Sequence, residues 1–315
     1  MSSSKPHLGV LLHAFFEEYL LNQRALSAAT IKSYRDTLTL FLLFIAKDKH
    51  CKITRLSIND LTSKRVLAFL QHLEEARQNH IRTRNQRLAA LKTFFNYQAT
   101  QKPEHLAEAE QVAAIPLKRV APAKSTFLLS EQIQQLFAQL PKTGHFALRD
   151  RTLLLFLYNT GARVQEVADL RVDNLQLEPP SRVQLHGKGG KWRVCPLWAE
   201  TTALLKQLLG ERHHLTSASP VFLSLQGSAL TRVGIYKLVR RHTRQLTTHG
   251  QQPISPHSFR HTAAVHLLES GVDVNVIRAW LGHVSLETTN RYAEISLKMK
   301  AEALNTCEPP IPGMA

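Results

Sequence analysis

The stretch Ser181–Leu197, SRVQLHGKGGKWRVCPL, is the one place in the chain where the apolar pattern turns from helical to extended. Two short runs with partial alternation flank the turn Gly187–Gly190, the arrangement of a β-hairpin with Lys188 at its tip. Without this segment the chain reads as entirely helical. With it the fold class is mainly α with a small β-hairpin or sheet, an α+β protein.

On the N-terminal side of the hairpin, RDRTLLLFLYNTG (Arg149–Gly161) predicts a buried helix stopped by Gly161. Ser130 is the expected cap of an earlier helix, EQIQQLFAQL. ARVQEVADL follows Gly161 as a short helix, with Arg163 and Glu166 three residues apart on one face. Taken alone, that pair reads as a structural salt bridge. On the C-terminal side, VGIYKLVRRHTRQL predicts a helix, followed by the capped segment ISPHSFRHTAAVHLLESG (Ile254–Gly271). Ser255 suits an N-cap, Pro256 the first helical position and Gly271 the stop. His257 and Arg260 therefore lie one turn apart near the positive end of the helix dipole, where a cation is favoured when an anion shares the site. His257 and His261 have the i, i+4 spacing of some zinc sites. Ser258 stands where such sites carry glutamate, and no third ligand is evident, so no metal centre is predicted. Two more short helices follow, VDVNVIRAWLG and SLETTNRYAEI. His283 directly follows the helix-ending Gly282, and Tyr292 comes nine residues later.

The first hundred residues are helical in pattern. TIKSYRDTLTLFLLFIAKD spaces Ile31, Tyr34, Leu38, Phe41 and Ile45 by three or four, and LTSKRVLAFLQHLEEAR, with Thr62 at its start, repeats the stripe. TRNQRLAALKTFFNYQAT sets Leu88, Leu91 and Phe95 on one face and Arg84, Arg87 and Lys92 around the other, which suits phosphate contact. Residues 101–124 carry Pro103, Pro116 and Pro122 and few periodic apolar positions. The expected division is a helical domain over 1–115, a linker over 116–125 and a second domain over 126–315 that includes a C-terminal tail. Lys118 and Arg119 make the linker basic enough to lie along a nucleic-acid backbone.

Composition agrees with such a partner. The 315 residues hold 40 Lys+Arg against 24 Asp+Glu, a net charge of +16, which favours nucleic acid first and an anionic membrane surface second. Cys51, Cys195 and Cys307 are isolated and form no CxxC pair, which fits a reducing cytoplasm. The apolar VLLHAFFEEYLL is broken by His13, Glu17 and Glu18 and reads as an amphipathic helix, not a signal peptide or membrane span.

TGARVQEVADL, GKGGKWRVCPL, PHSFRHTAAVHLLESG, VIRAWLGHVS and TTNRYAEI, in that order and at that spacing over about 130 residues, resemble the tyrosine recombinase (phage integrase) family. That family includes the Xer recombinases and integron integrases. The first half is similar, more loosely, to the family's helical SAM-like core-binding domain. The resemblance implies that Arg163 and Arg260 are the catalytic arginines, Lys188 the hairpin lysine, His257 and His283 the histidines, and Tyr292 the nucleophile. Glu166 takes an acidic position that orients Arg163 or His257. Lys191, three residues from Lys188, competes for the lysine role. The implied enzyme cuts and rejoins DNA through a 3′-phosphotyrosine and needs neither metal nor cofactor. It acts as a homotetramer on two specific double-stranded sites, with or without a second recombinase. The absence of an obvious extra domain before residue 10 points to the compact Xer-like or transposon-encoded type over a large phage integrase. Two other outcomes stay open at this point: a type IB topoisomerase-like relaxing enzyme, and a catalytically inactive DNA-binding protein.

Overall fold

The computed structural model describes residues 8–120, 126–144, 146–187, 189–246 and 253–282. Lys188, His283, Tyr292 and the tail lie outside the described residues. The chain divides into two compact units, Met1–Pro122 and Ala123–Ala315.

The first unit is helical. Helix α1 (Leu8–Ala14) continues into a π-helical stretch, Phe15–Gln23, followed by α2 (Ala28–Asp48), α3 (Ser63–Glu75), α4 (Ile81–Gln101) and α5 (Leu106–Ala114). Side chains cap the starts of α2, α3 and α4. Ser27 Oγ accepts from the Thr30 N–H, Thr62 Oγ1 from Arg65 and the His80 ring from Arg82. The apolar stripes meet in an aromatic core in which Phe15 packs edge-on to Phe94, ring centroids 5.1 Å apart, and Phe41 lies 5.3 Å from Phe69. Helix α5 is a departure from the sequence expectation. The proline-marked segment after 101 folds as a helix that buries Ala109 and Val112 against α3 and α4.

The second unit is built around a helix that is buried on most sides, Ala147–Thr160. Helix α6 (Ser130–Gln139) precedes α7 (Ala147–Thr160), whose Leu153, Leu154, Phe156 and Leu157 are fully enclosed. Ser130 is not the cap of α6. Leu129 holds that position, and its N–H donates to Gln132 Oε1 at 2.9 Å. A five-residue helix, α8 (Val164–Ala168), then leads to β1 (Leu175–Gln176), β2 (Arg182–His186) and β3 (Trp192–Pro196). The three strands form one antiparallel sheet in sequence order, with Val183 opposite Cys195 and Leu185 opposite Arg193. These four residues face inward, and Arg182, Gln184, His186, Trp192 and Val194 face outward, as period-two geometry requires. The hairpin expected over Ser181–Leu197 is therefore present, widened by the two-residue β1, which is too short to leave a pattern. Helix α9 (Ala199–Gly210), not anticipated from the sequence, packs on α7. Helices α10 (Arg232–His242), α11 (Pro256–Glu269) and α12 (Val274–Leu281) complete the unit, with α11 lying against α7 and α12.

Candidate active site

Gly161 is the pivot of the site. It ends α7 in the left-handed region at φ 57°, and a Cβ placed there would meet Leu281 Cδ2 at 2.4 Å. The close approach sets α7 against the end of α12, and the chain then turns into α8 with Arg163 as its N-cap residue.

Glu166, three residues on, is buried and receives four hydrogen bonds. The Arg163 N–H donates to Oε2 at 2.7 Å and Arg163 Nη1 to Oε1 at 2.8 Å. Arg193, from the inward face of β3, donates Nη1 to Oε1 at 2.7 Å and Nη2 to Oε2 at 2.8 Å. Burial alone would raise the Glu166 pKa, but the bonds and charge of Arg193, then the bonds of Arg163, outweigh it and hold the carboxyl below its usual range. Arg163 Nη2 also donates to Gly282 O at 3.1 Å. Its side chain stays one-third exposed, against 8% for Arg193.

Arg260 projects from α11 into the same corner. Its Nη1 donates to Gly161 O at 2.8 Å and its Nη2 to Leu281 O at 2.6 Å, and the residue is buried. His257 sits in the first turn of α11, which Ser255 caps by accepting from the Ser258 N–H. Partial desolvation of its ring, then the positive charges of Arg260 and Arg163, lower the His257 pKa. An open, largely apolar cleft of about 610 Å³ lies beside it, lined by Val164, Val233, Tyr236 and Pro256 among others. His261 packs its ring edge-on to His257 with centroids 4.2 Å apart. Among the described residues, no three side chains of histidine, cysteine or carboxylate type gather as metal ligands.

The hairpin enters through Gly187. A Cβ there would lie 3.2 Å from Glu166 Oε1 and 3.5 Å from Arg163 Nη1, so the backbone just before Lys188 runs over the ion cluster. Lys191 is exposed, and its carbonyl closes the turn by accepting from the Gly187 N–H at 2.7 Å. Arg163, Glu166, His257 and Arg260 are thus brought together. Arg193 was absent from the sequence reading, although strand parity, opposite inward Leu185, marks it as buried.

Of the basic residues singled out in the first unit, Arg84 requires a correction. It does not belong to the outer face of α4: it is buried, pairs with Glu74 through Nε at 3.3 Å, and donates to Pro116 O at 3.2 Å. Arg87 is half-buried and donates to Asn79 Oδ1, and half-buried Lys92 donates to Ala113 O. Lys118 pairs with Glu74 at 2.7 Å, and both its backbone N–H and its carbonyl bond Asn85. The first residues of the basic segment are therefore fastened to α4. Arg119 is exposed. No helix among the described residues is long and apolar enough to cross a membrane.

Comparison with known proteins places the chain in a family. Residues 126–298 match the phage integrase family and residues 14–102 its N-terminal SAM-like domain. A putative integrase/recombinase, y4rC of Sinorhizobium fredii, is 35% identical over 96% of this chain and 92% of its own. The tyrosine recombinase XerD of Chlorobaculum tepidum is 32% identical over 93% and 95%. In fold, the chain matches the XerH site-specific recombinase bound to a palindromic difH substrate, with TM-score 0.69 and 24% identity over 90% of this chain and 81% of that one. It also matches a lambda integrase dimer bound to a core site, with TM-score 0.68 and 14% identity over 92% and 96%. Matched over both halves and along nearly the whole length of its relatives, the chain belongs to the phage integrase family of tyrosine site-specific recombinases.

Proposed function

We propose that this protein cuts and rejoins double-stranded DNA at specific sites, in the cytoplasm, by transesterification through Tyr292. The phenolic oxygen attacks phosphorus, the bond from phosphorus to the 5′-oxygen breaks, and a 3′-phosphotyrosine and a free 5′-hydroxyl result. Attack by a 5′-hydroxyl from a second site reverses the step and exchanges strands, so no external energy source is needed. The observation that carries the reading is the convergence of Arg163 and Arg260 on the Gly161 and Leu281–Gly282 backbone, with guanidiniums aimed from two elements into one corner.

Each group has a chemical task. Tyrosine, with a pKa near 10, is about one part in a thousand phenolate at neutral pH, so it needs nearby positive charge or a base. Arg163 and Arg260 neutralise the phosphorane oxygens, a contribution of roughly 3–4 kcal/mol per well-placed donor. His257, neutral at pH 7 because its pKa is lowered, accepts the tyrosine proton, and His283 donates to a phosphate oxygen. Lys188 protonates the leaving 5′-oxygen; Lys191 is the alternative, since the turn that holds it begins at the cluster. Glu166 orients Arg163. The basic segment 116–125 divides the two functional domains, with Arg87, Lys92, Lys118 and Arg119 contributing to the DNA backbone surface. The working form is a homotetramer on two sites, with or without a second recombinase.

A nicked suicide substrate carrying the target site tests the chemistry. The wild-type chain is expected to become covalently attached and Tyr292→Phe is not. An adduct that persists in Tyr292→Phe excludes Tyr292 as the nucleophile. Joined products from two linear sites distinguish strand exchange from simple relaxation.

A further inference from the structure

We infer that Arg193 is a positioning residue for strand cleavage: it occupies the carboxylate of Glu166 so that Arg163 stays available to phosphate. The inference rests on the strand-transfer reading above and concerns a residue that does not itself reach the substrate. Two guanidiniums share one buried carboxylate, unequally. Arg193 takes both oxygens in a parallel two-point bond and is buried with it, whereas Arg163 gives one guanidinium contact to Oε1 and remains one-third exposed. A buried carboxylate left with a single cation draws that cation into the two-point geometry, because an unneutralised charge in the interior is strongly unfavourable. Without Arg193 the only other guanidinium bonded to Glu166 among the described residues is that of Arg163. Arg163 would then turn from the phosphate toward Glu166, and its charge would be neutralised there.

Arg193 also joins the three segments that carry the chemistry. It belongs to β3, the strand leaving the lysine hairpin. Its Nε donates to Trp280 O at 2.9 Å, and a Cβ on Gly282 would lie 2.9 Å from its Cδ, so its stem lies beneath the end of α12, one residue before His283. Through Glu166 it reaches α8 and Arg163. One side chain thus fixes the hairpin, the first arginine and the end of α12 relative to one another.

The test uses the full chain, a nicked suicide substrate at saturating protein, and equilibrium DNA binding at one fixed salt concentration. Arg193→Met is expected to slow covalent trapping about 100-fold, the scale of losing one transition-state donor, while DNA affinity changes less than about threefold. Adding Glu166→Gln to Arg193→Met removes the charge that captures Arg163 and is expected to restore at least about tenfold of the rate. Simple loss of packing predicts the opposite, a double variant as slow as the single or slower. That outcome, or wild-type trapping in Arg193→Met, overturns the proposal. Arg193→Lys keeps the charge but not the fork and is expected to trap about tenfold slower than wild type. If Arg193→Met does not fold, Arg193→Lys decides, and full rate there is the refuting result. Adduct formation that survives Tyr292→Phe overturns the strand-transfer reading and this proposal together. Tyr292-dependent trapping that ignores Arg193 overturns this proposal alone.

Discussion

Replacing Gly161 by alanine isolates the close approach on which the site is built. Two effects add at this position. A left-handed backbone costs a non-glycine residue about 1–2 kcal/mol. The new methyl also meets Leu281 Cδ2 at 2.4 Å, and because Leu281 is fully buried the leucine cannot simply swing aside, so overpacking adds about 1–3 kcal/mol. Gly271 provides the control. It too has positive φ, 79°, but a Cβ there meets nothing within 4 Å, so Gly271→Ala carries the backbone cost alone. Loss of unfolded-state freedom on replacing glycine offsets both variants alike and cancels in the comparison. The assay is intrinsic to the chain: all three tryptophans, Trp192, Trp198 and Trp280, lie in the second unit, so denaturant unfolding followed by tryptophan fluorescence reports that unit without signal from the first. Gly161→Ala is expected to be less stable than Gly271→Ala by about 1–3 kcal/mol. It should also trap DNA more slowly, since the Leu281 carbonyl that must shift is one that holds Arg260. Two variants within about 0.5 kcal/mol of each other, inside ordinary additivity error, would refute the steric reasoning.

Other outcomes follow from the same structure. Arg84→Met should destabilise the first unit by about 1–3 kcal/mol in a circular-dichroism melt, because it leaves the partly buried Glu74 without its buried partner, and should leave the salt dependence of DNA binding almost unchanged. Arg119→Ala should do the reverse, lowering the slope of log affinity against log salt by about 1 with no loss of stability. Among the described residues of the first unit, Asp60 carries a carboxyl held well below its usual range. Burial would raise its pKa, but bonds from Lys49 and Ser57 lower it from 3.8 to about 2. Its contribution is complete above about pH 5 and disappears as pH falls through 3.8 toward 2. Asp60→Asn should flatten the acid limb of stability over that range, and an unchanged limb would exclude Asp60 as its source. The His257 imidazole should titrate below 6.5 by NMR, so trapping that depends on its neutral form falls only as pH drops beneath that value; a midpoint at or above 6.5 contradicts the proximity of Arg163 and Arg260.

What the sequence disclosed follows from what each signal can carry. Caps and stops were legible because Ser255, Gly161 and Gly282 do local work that local residue type reveals. The hairpin was legible through alternation, and the same alternation placed Arg193 inward, where an arginine demands a partner. Arg84 was legible too. It precedes Leu88 by four residues and Leu91 by seven, and so shares their buried stripe; reading residue type ahead of spacing set it on the wrong face. Helix α9 hid behind buried Thr201 and Thr202, polar residues that blur an apolar stripe otherwise marked by Leu205, Leu208 and Leu209. The carbonyls of Gly161, Trp280, Leu281 and Gly282, which hold all three arginines, leave no trace in a sequence, because every residue has one.

The different ways in which those arginines are held have an electrostatic consequence for the protein without DNA. Arg163 and Arg193 bring two positive charges to Glu166, whose carboxylate cancels one of them. The buried Arg193 holds both carboxylate oxygens, so the surplus charge falls on Arg163, whose side chain is one-third exposed. On the proposed reading, the single negative charge of a phosphodiester matches that surplus, and the protein holds it where an anion can reach it.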